Sequence, residues 1–234
     1  MASRAVKLAL YVIPTLIVVV LVVWMEVSPT TLAPLTYEDG WIENLTAIGF
    51  GIGAVAFGLA AWRTPYLRKS ATAWALAMTI GWALISFVCM GEEISWGQRI
   101  FGIPTPPFLA RINKQDEITI HNIGAVDNFM GGTYRWLSIY MVLGGLGIPL
   151  LAKTKIGKTV FKKTYFPVLP WCYSALWVGA YFYGKYYRVW EPIPGLHPAS
   201  AATEIREMMI GLGSGFFAVH TLFWPSEVYI GYTE

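Results

Sequence analysis

Charge is what this chain has least of: Asp, Glu, Lys and Arg together make up 13% of its 234 residues, against 56% apolar. With a positive mean hydropathy, that balance excludes an ordinary soluble domain and defines an integral membrane protein. Cysteine is scarce too. Cys89 and Cys172 both fall inside apolar runs, where they read as small packing residues, so no disulfide framework is expected. There is no H-E-x-x-H, no C-x-x-C, no pair of Glu-x-x-His segments and no haem attachment sequence, which removes the common metal and haem frameworks. A net charge of +3, uneven only through the placement of short basic loops, gives no surface for nucleic acid. No linker, low-complexity stretch or internal repeat divides the chain, and a single transmembrane helical bundle is expected over residues 1–234.

What is present is a series of charge-poor runs, each about the 20 residues that an α-helix needs to cross the hydrocarbon of a bilayer. Six are placed, near 8–25, 42–62, 72–91, 136–152, 165–184 and 204–224. The first follows Arg4 and Lys7 and has no small-x-small cleavage site after Trp24, so it reads as a retained span rather than a signal peptide. Basic residues resist translocation, and ten of the seventeen lie before span one, between spans two and three, and between spans four and five. That set includes both ends of the chain, which are therefore expected in the cytoplasm. Twelve of the fourteen carboxylates then fall at or beyond the opposite side. The five lysines from Lys153 to Lys163 read first as topology determinants and second as a contact for anionic lipid. Small residues at Gly49, Gly53 and Gly58, and at Gly211 and Gly215, are spaced for close helix contact.

On the acid-rich side the polar residues concentrate at span ends. Glu43 and Asn44 open span two, Glu92 and Glu93 close span three, and Glu204 and Glu207 open span six, three apart and on one face of a helix. Between spans three and four a structured outer loop, 92–135, is expected. It runs through Ser95, Gln98 and Arg99, is broken by Pro104, Pro106 and Pro107, and continues through Asn113, Gln115, Glu117, His121 and Asn122. Glu117 and His121 share a face whether that stretch is helix or strand. A loop folded back over the bundle would bring them to the acids.

Carboxylates gathered with a histidine in a partly dry place suit a divalent metal such as zinc or iron, which would offset their desolvation. Glu92, Glu93 and His121 are then the candidate ligands or bases, with Glu204 and Glu207 completing the set. The competing reading pairs the same acids with Arg99, Arg111, Lys185, Arg188 and Arg206 in a structural network. The adjacent acids Glu92 and Glu93 favour function, because side-by-side like charges make a proton acceptor or a ligand pair. His220, near the other end of span six, reads as a hydrogen-bonding residue toward a neighbouring helix.

The string Glu92-Glu93-Ile94-Ser95-Trp96-Gly97-Gln98-Arg99, with the downstream Asn113, Gln115, Glu117 and His121-Asn122 and the upstream Glu38-Asp39-Gly40 and Glu43, resembles a group of bacterial multi-span membrane proteins of unassigned function. That resemblance implies a bacterial inner membrane and no particular activity. A looser likeness, through Glu43-Asn44-Leu45-Thr46 and His220, is to the alkaline ceramidase and progestin-receptor-like membrane hydrolases. That superfamily binds zinc through several histidines, whereas no partner histidine follows His220 here. Two functions are expected on these grounds: a metal-dependent hydrolase or transferase acting on a lipid-like substrate, or a non-enzymatic subunit of a larger membrane assembly that docks a partner or lipid through its acidic face.

Overall fold

The computed structural model describes residues 4–37, 40–64, 73–114, 116–126, 139, 141–192 and 196–230. Among these the chain is all helix and turn, with two isolated antiparallel bridges and no strand. The longer helices among the described residues are α1 (Arg4–Val27), α2 (Trp41–Arg63), α3 (Ala73–Glu93), α4 (Leu143–Lys153), α5 (Lys155–Thr164), α6 (Ser174–Tyr186) and α7 (Pro198–Phe223). Helices α1, α2 and α3 are long and apolar enough to cross a membrane. They follow the expected runs 8–25, 42–62 and 72–91 closely.

The fifth and sixth runs differ from expectation at their starts. Residues 166–170 are non-helical and 171–173 form a single 3₁₀ turn, so α6 begins nine residues later than expected and has 13 residues. The reason is local: Tyr165 closes α5 in a left-handed conformation (φ 51°), and Pro167 and Pro170 supply no amide donor and keep the preceding backbone extended. With the 3₁₀ turns Trp171–Tyr173 before it and Tyr187–Val189 after it, the helical stretch around α6 rises roughly 30 Å, about the thickness of the hydrocarbon. Helix α7 begins earlier, at Pro198, since proline fits the first helical position without losing a bond. It is long enough to span, yet Glu204, Arg206, Glu207 and His220 make it less apolar than α1–α3. Most of its residues are buried, so these polar groups face protein.

The core lies where α7 packs against α2, α3 and α6. Phe57 of α2, Trp82 of α3 and Phe217 of α7 make mutual ring contacts at 5.4–6.0 Å, and Trp82 also meets Trp177 of α6. Helices α2 and α7 touch backbone to backbone. A Cβ on Gly49 would lie 2.4 Å from the carbonyl carbon of Gly211, and one on Gly215 would lie 2.7 Å from the Gly49 oxygen. The expected small-residue seam is therefore real at Gly49, Gly211 and Gly215. Gly53 faces Ser86 of α3 as well, and Gly58 has nothing near it.

Contacts fix which helix ends lie together. Lys7 of α1 pairs with Glu227, just beyond α7, and the Val168 amide, following α5, donates to the Val228 carbonyl at 2.9 Å. The start of α1, the end of α7 and α5 thus share one end of the bundle, which is basic. The end of α1 lies at the other, where Tyr187 donates to Glu26 at 3.0 Å. That opposite, acidic end also holds the start of α2, the end of α3 and the start of α7.

Candidate functional site

The acidic end is built on a sharp reversal where α3 stops. After Glu93 the backbone passes through three successive left-handed residues, Ser95 (φ 47°), Trp96 (φ 54°) and Gly97 (φ 82°). Only the glycine adopts that conformation freely; each of the other two costs on the order of 1–3 kcal/mol. Side-chain contacts hold them there. The Trp96 ring covers Gly91, where an added Cβ would lie 2.8 Å from it, and its Nε1 donates to Glu92 Oε1 at 2.7 Å. Ser95 is fully buried and donates through Oγ to Glu117 Oε2 at 3.1 Å.

From this turn residues 98–124 fold back as a cap. Gln98 uses both ends of its buried amide: Nε2 donates to Thr105 Oγ1 at 2.6 Å and Oε1 accepts from the Ile118 amide at 2.6 Å. The Thr105 hydroxyl also donates to the Asp116 carbonyl. Asn113 Nδ2 donates to the Thr119 carbonyl at 2.9 Å, and the Lys114 amide donates to the Asn122 carbonyl at 2.9 Å beside the bridge between Asn113 and Ile123. The stretch expected to be helix or strand is a series of turns. Glu117 and His121 therefore reach different partners, Ser95 and Glu92, rather than sharing a face.

Glu92 is the post to which the cap is tied. Its Oε2 accepts the Ile120 amide at 2.8 Å and the His121 amide at 3.0 Å, with His121 Nδ1 at 2.9 Å, while Oε1 takes the Trp96 indole. Burial alone would lower the pKa of the His121 imidazole. The hydrogen bond and charge of Glu92 outweigh it, with Glu207 and Glu117 adding to them, and the value lies above the ordinary one. Glu92 was expected to serve as base or metal ligand, yet its two oxygens are committed to these four donors.

Glu93 occupies the other position. It lies within electrostatic reach of Glu43 from the start of α2, Glu92 beside it, and Glu204 and Glu207 from the first turns of α7. The helix ends that carry these acids, at the starts of α2 and α7 and the end of α3, lie at one end of the bundle. Arg206, buried beside them, donates to Glu207 Oε1 at 3.4 Å, and the charge of His121 also reaches Glu207. An ion pair and acids within electrostatic reach of one another thus lie at the same end. Among the described residues no group of three or more His, Cys, Asp or Glu comes together as a metal-binding set, so Glu92, Glu93, His121, Glu204 and Glu207 do not form a ready ligand shell. Asn44 is exposed and its side chain donates to the Gly40 carbonyl at 2.8 Å. Gln115 and the side chain of Arg99 lie outside the described residues.

Three contributors to this end were not singled out in the sequence: Gly91, Thr105 and Thr119. A glycine one helical turn before a tryptophan and a threonine between prolines carry no recognisable signal alone. His220 behaves as expected, at the basic end: buried, with Nδ1 3.0 Å from the Tyr173 hydroxyl and Nε2 3.0 Å from Glu227 Oε2.

The chain matches no protein-family model, no curated protein and no solved structure.

Proposed function

We propose that this chain is a six-span protein of a bacterial inner membrane, with both ends in the cytoplasm, whose capped acidic end faces outward and carries out hydrolysis or group transfer on a lipid-like substrate. The observation that carries this reading is the position of Glu93. Glu43 of α2 and Glu204 and Glu207 of α7 lie within electrostatic reach of it, whereas the neighbouring Glu92 is consumed in holding the cap. Carboxylates crowded in this way hold a shared proton or a cation. Glu93 is the group that holds and passes this proton, with Glu43, Glu92, Glu204 and Glu207 setting its charge environment.

The lipid-like substrate is supported by what the cap exposes. Ile100, Phe101, Phe108 and Ile120 stand 55–75% exposed on a loop otherwise fastened by buried polar bonds. A rigid, polar-cored loop with an apolar rim belongs at the boundary between lipid and water. The same rim supports the second reading, a non-enzymatic subunit that docks a neighbouring membrane protein there.

The test is gentle purification from the native membrane, with bound metals and accompanying proteins measured by mass spectrometry on wild type and Glu93→Gln. A bound lipid-like molecule, with or without zinc or iron, that changes on replacing Glu93 supports the site. Fixed stoichiometric partners, with cargo indifferent to Glu93, support the subunit.

A further inference from the structure

A second feature lies at the basic end and is independent of the acidic site. Helix α5 carries Lys155, Lys158, Lys162 and Lys163 in ten residues, with Lys153 just before it, and no Asp or Glu occurs between Asp127 and Glu191. All five lysines are exposed, and among the described residues no carboxylate pairs with any of them. At about 100° per residue the four helical lysines fall within an arc of roughly 140°.

The remainder of the helix is divided in two. Gly157 and Phe161 are buried on the bundle side, where Phe161 packs with Ala152 and Val168. Ile156 and Val160 lie between that side and the lysine arc and are 75% and 43% exposed. Topology determinants need only be basic; they need not be sorted onto one arc beside an open apolar strip. Such sorting is the pattern of a helix lying in the plane of a membrane surface, apolar strip toward the acyl chains and cations at headgroup level. Nearby, the Lys153 ammonium stands 4.3 Å from the centre of the part-exposed Trp171 ring, a residue type that favours the same level.

We infer that α5 is an in-plane surface helix that binds anionic phospholipid headgroups of the leaflet on the basic side through Lys155, Lys158, Lys162 and Lys163, with Ile156 and Val160 in the acyl region. The occupant is an anionic lipid surface, because an uncompensated run of cations next to an apolar strip is complementary to negative headgroups over hydrocarbon.

The test uses the full chain in nanodiscs of phosphatidylcholine alone or with phosphatidylglycerol. Hydrogen exchange of residues 155–164 and the number of phosphatidylglycerol molecules retained in native mass spectrometry are read for wild type and for the fourfold Lys→Gln variant. The expected result is exchange slowed severalfold by phosphatidylglycerol in wild type, and both slowing and retention lost in the variant. Raising salt on wild type provides a reading that does not depend on the variant folding: retention falls severalfold. Equal exchange and retention in the two lipids, or retention unmoved by salt, overturns the inference.

Discussion

His121 Nδ1 and Glu92 Oε2 lie 2.9 Å apart across 29 residues of chain, and the same oxygen also takes the His121 amide. One carboxylate therefore holds a ring and its backbone together. Because the folded-state pKa of His121 is raised, this fastening is fully present below the unfolded value of about 6.5 and is lost as pH rises through the folded value. The imidazole is about half exposed, so the effect is modest, on the order of 0.2–1 kcal/mol. Hydrogen exchange at Ile120 and His121, corrected for intrinsic rates, is expected to accelerate across that pH window in wild type and to lose the extra acceleration in His121→Gln.

Removing the post is expected to cost more than removing the ring. Glu92→Ala leaves the Ile120 and His121 amides and the Trp96 indole without their acceptor, a penalty of about 1–3 kcal/mol for each group kept from water. Glu92→Gln retains one oxygen for the amides and is expected to be milder. Limited proteolysis within 98–124 ranks the two; equal cleavage in both variants and wild type contradicts the latch.

Helix contact offers a sharper pair. Gly49→Ala places a methyl 2.4 Å from the Gly211 backbone and is expected to destabilise by about 1–3 kcal/mol, as overpacking does. Gly58→Ala meets nothing within 4 Å and is expected to be neutral, or stabilising by up to about 1 kcal/mol from the reduced backbone freedom of alanine. Thermal unfolding in detergent distinguishes them.

At the basic end, burial would raise the Glu227 pKa, but hydrogen bonds from Lys7 and Tyr11 and the charges of His220 and Lys7 bring it below its ordinary value. Stability from this carboxylate is present above the unfolded value of about 4.3 and is lost as pH falls through the folded one. An unfolding midpoint that drops in that acid range for wild type and stays level for Glu227→Gln is the expected outcome.

The long apolar helices were legible because a bilayer imposes a length, and α1, α2 and α3 follow it within a few residues. The glycine seam was legible because close backbone contact requires the missing Cβ. The start of α6 was not, since hydropathy averaged over residues 165–184 hides the prolines that keep the first nine from becoming α-helix. In the Glu92-to-Arg99 box the residues were legible and their use was not. Ser95 reads as a polar site residue in sequence, while in three dimensions it opens a left-handed reversal with Trp96 and Gly97 and its partner Glu117 lies 22 residues along the chain, beyond any local pattern. Glu92 and Glu93 look alike in sequence; only the folded cap assigns one to structure and leaves the other among the acids.

The most direct test of the account is to compare what the wild-type and Glu93→Gln proteins hold in native-membrane nanodiscs, by lipid mass spectrometry. The glutamine variant, folded and capped as before, is expected to accumulate a lipid-like molecule that wild type converts and releases. Identical bound lipids in the two proteins, with the cap equally protected, would contradict it and leave Glu93 as one more residue of a structural cluster.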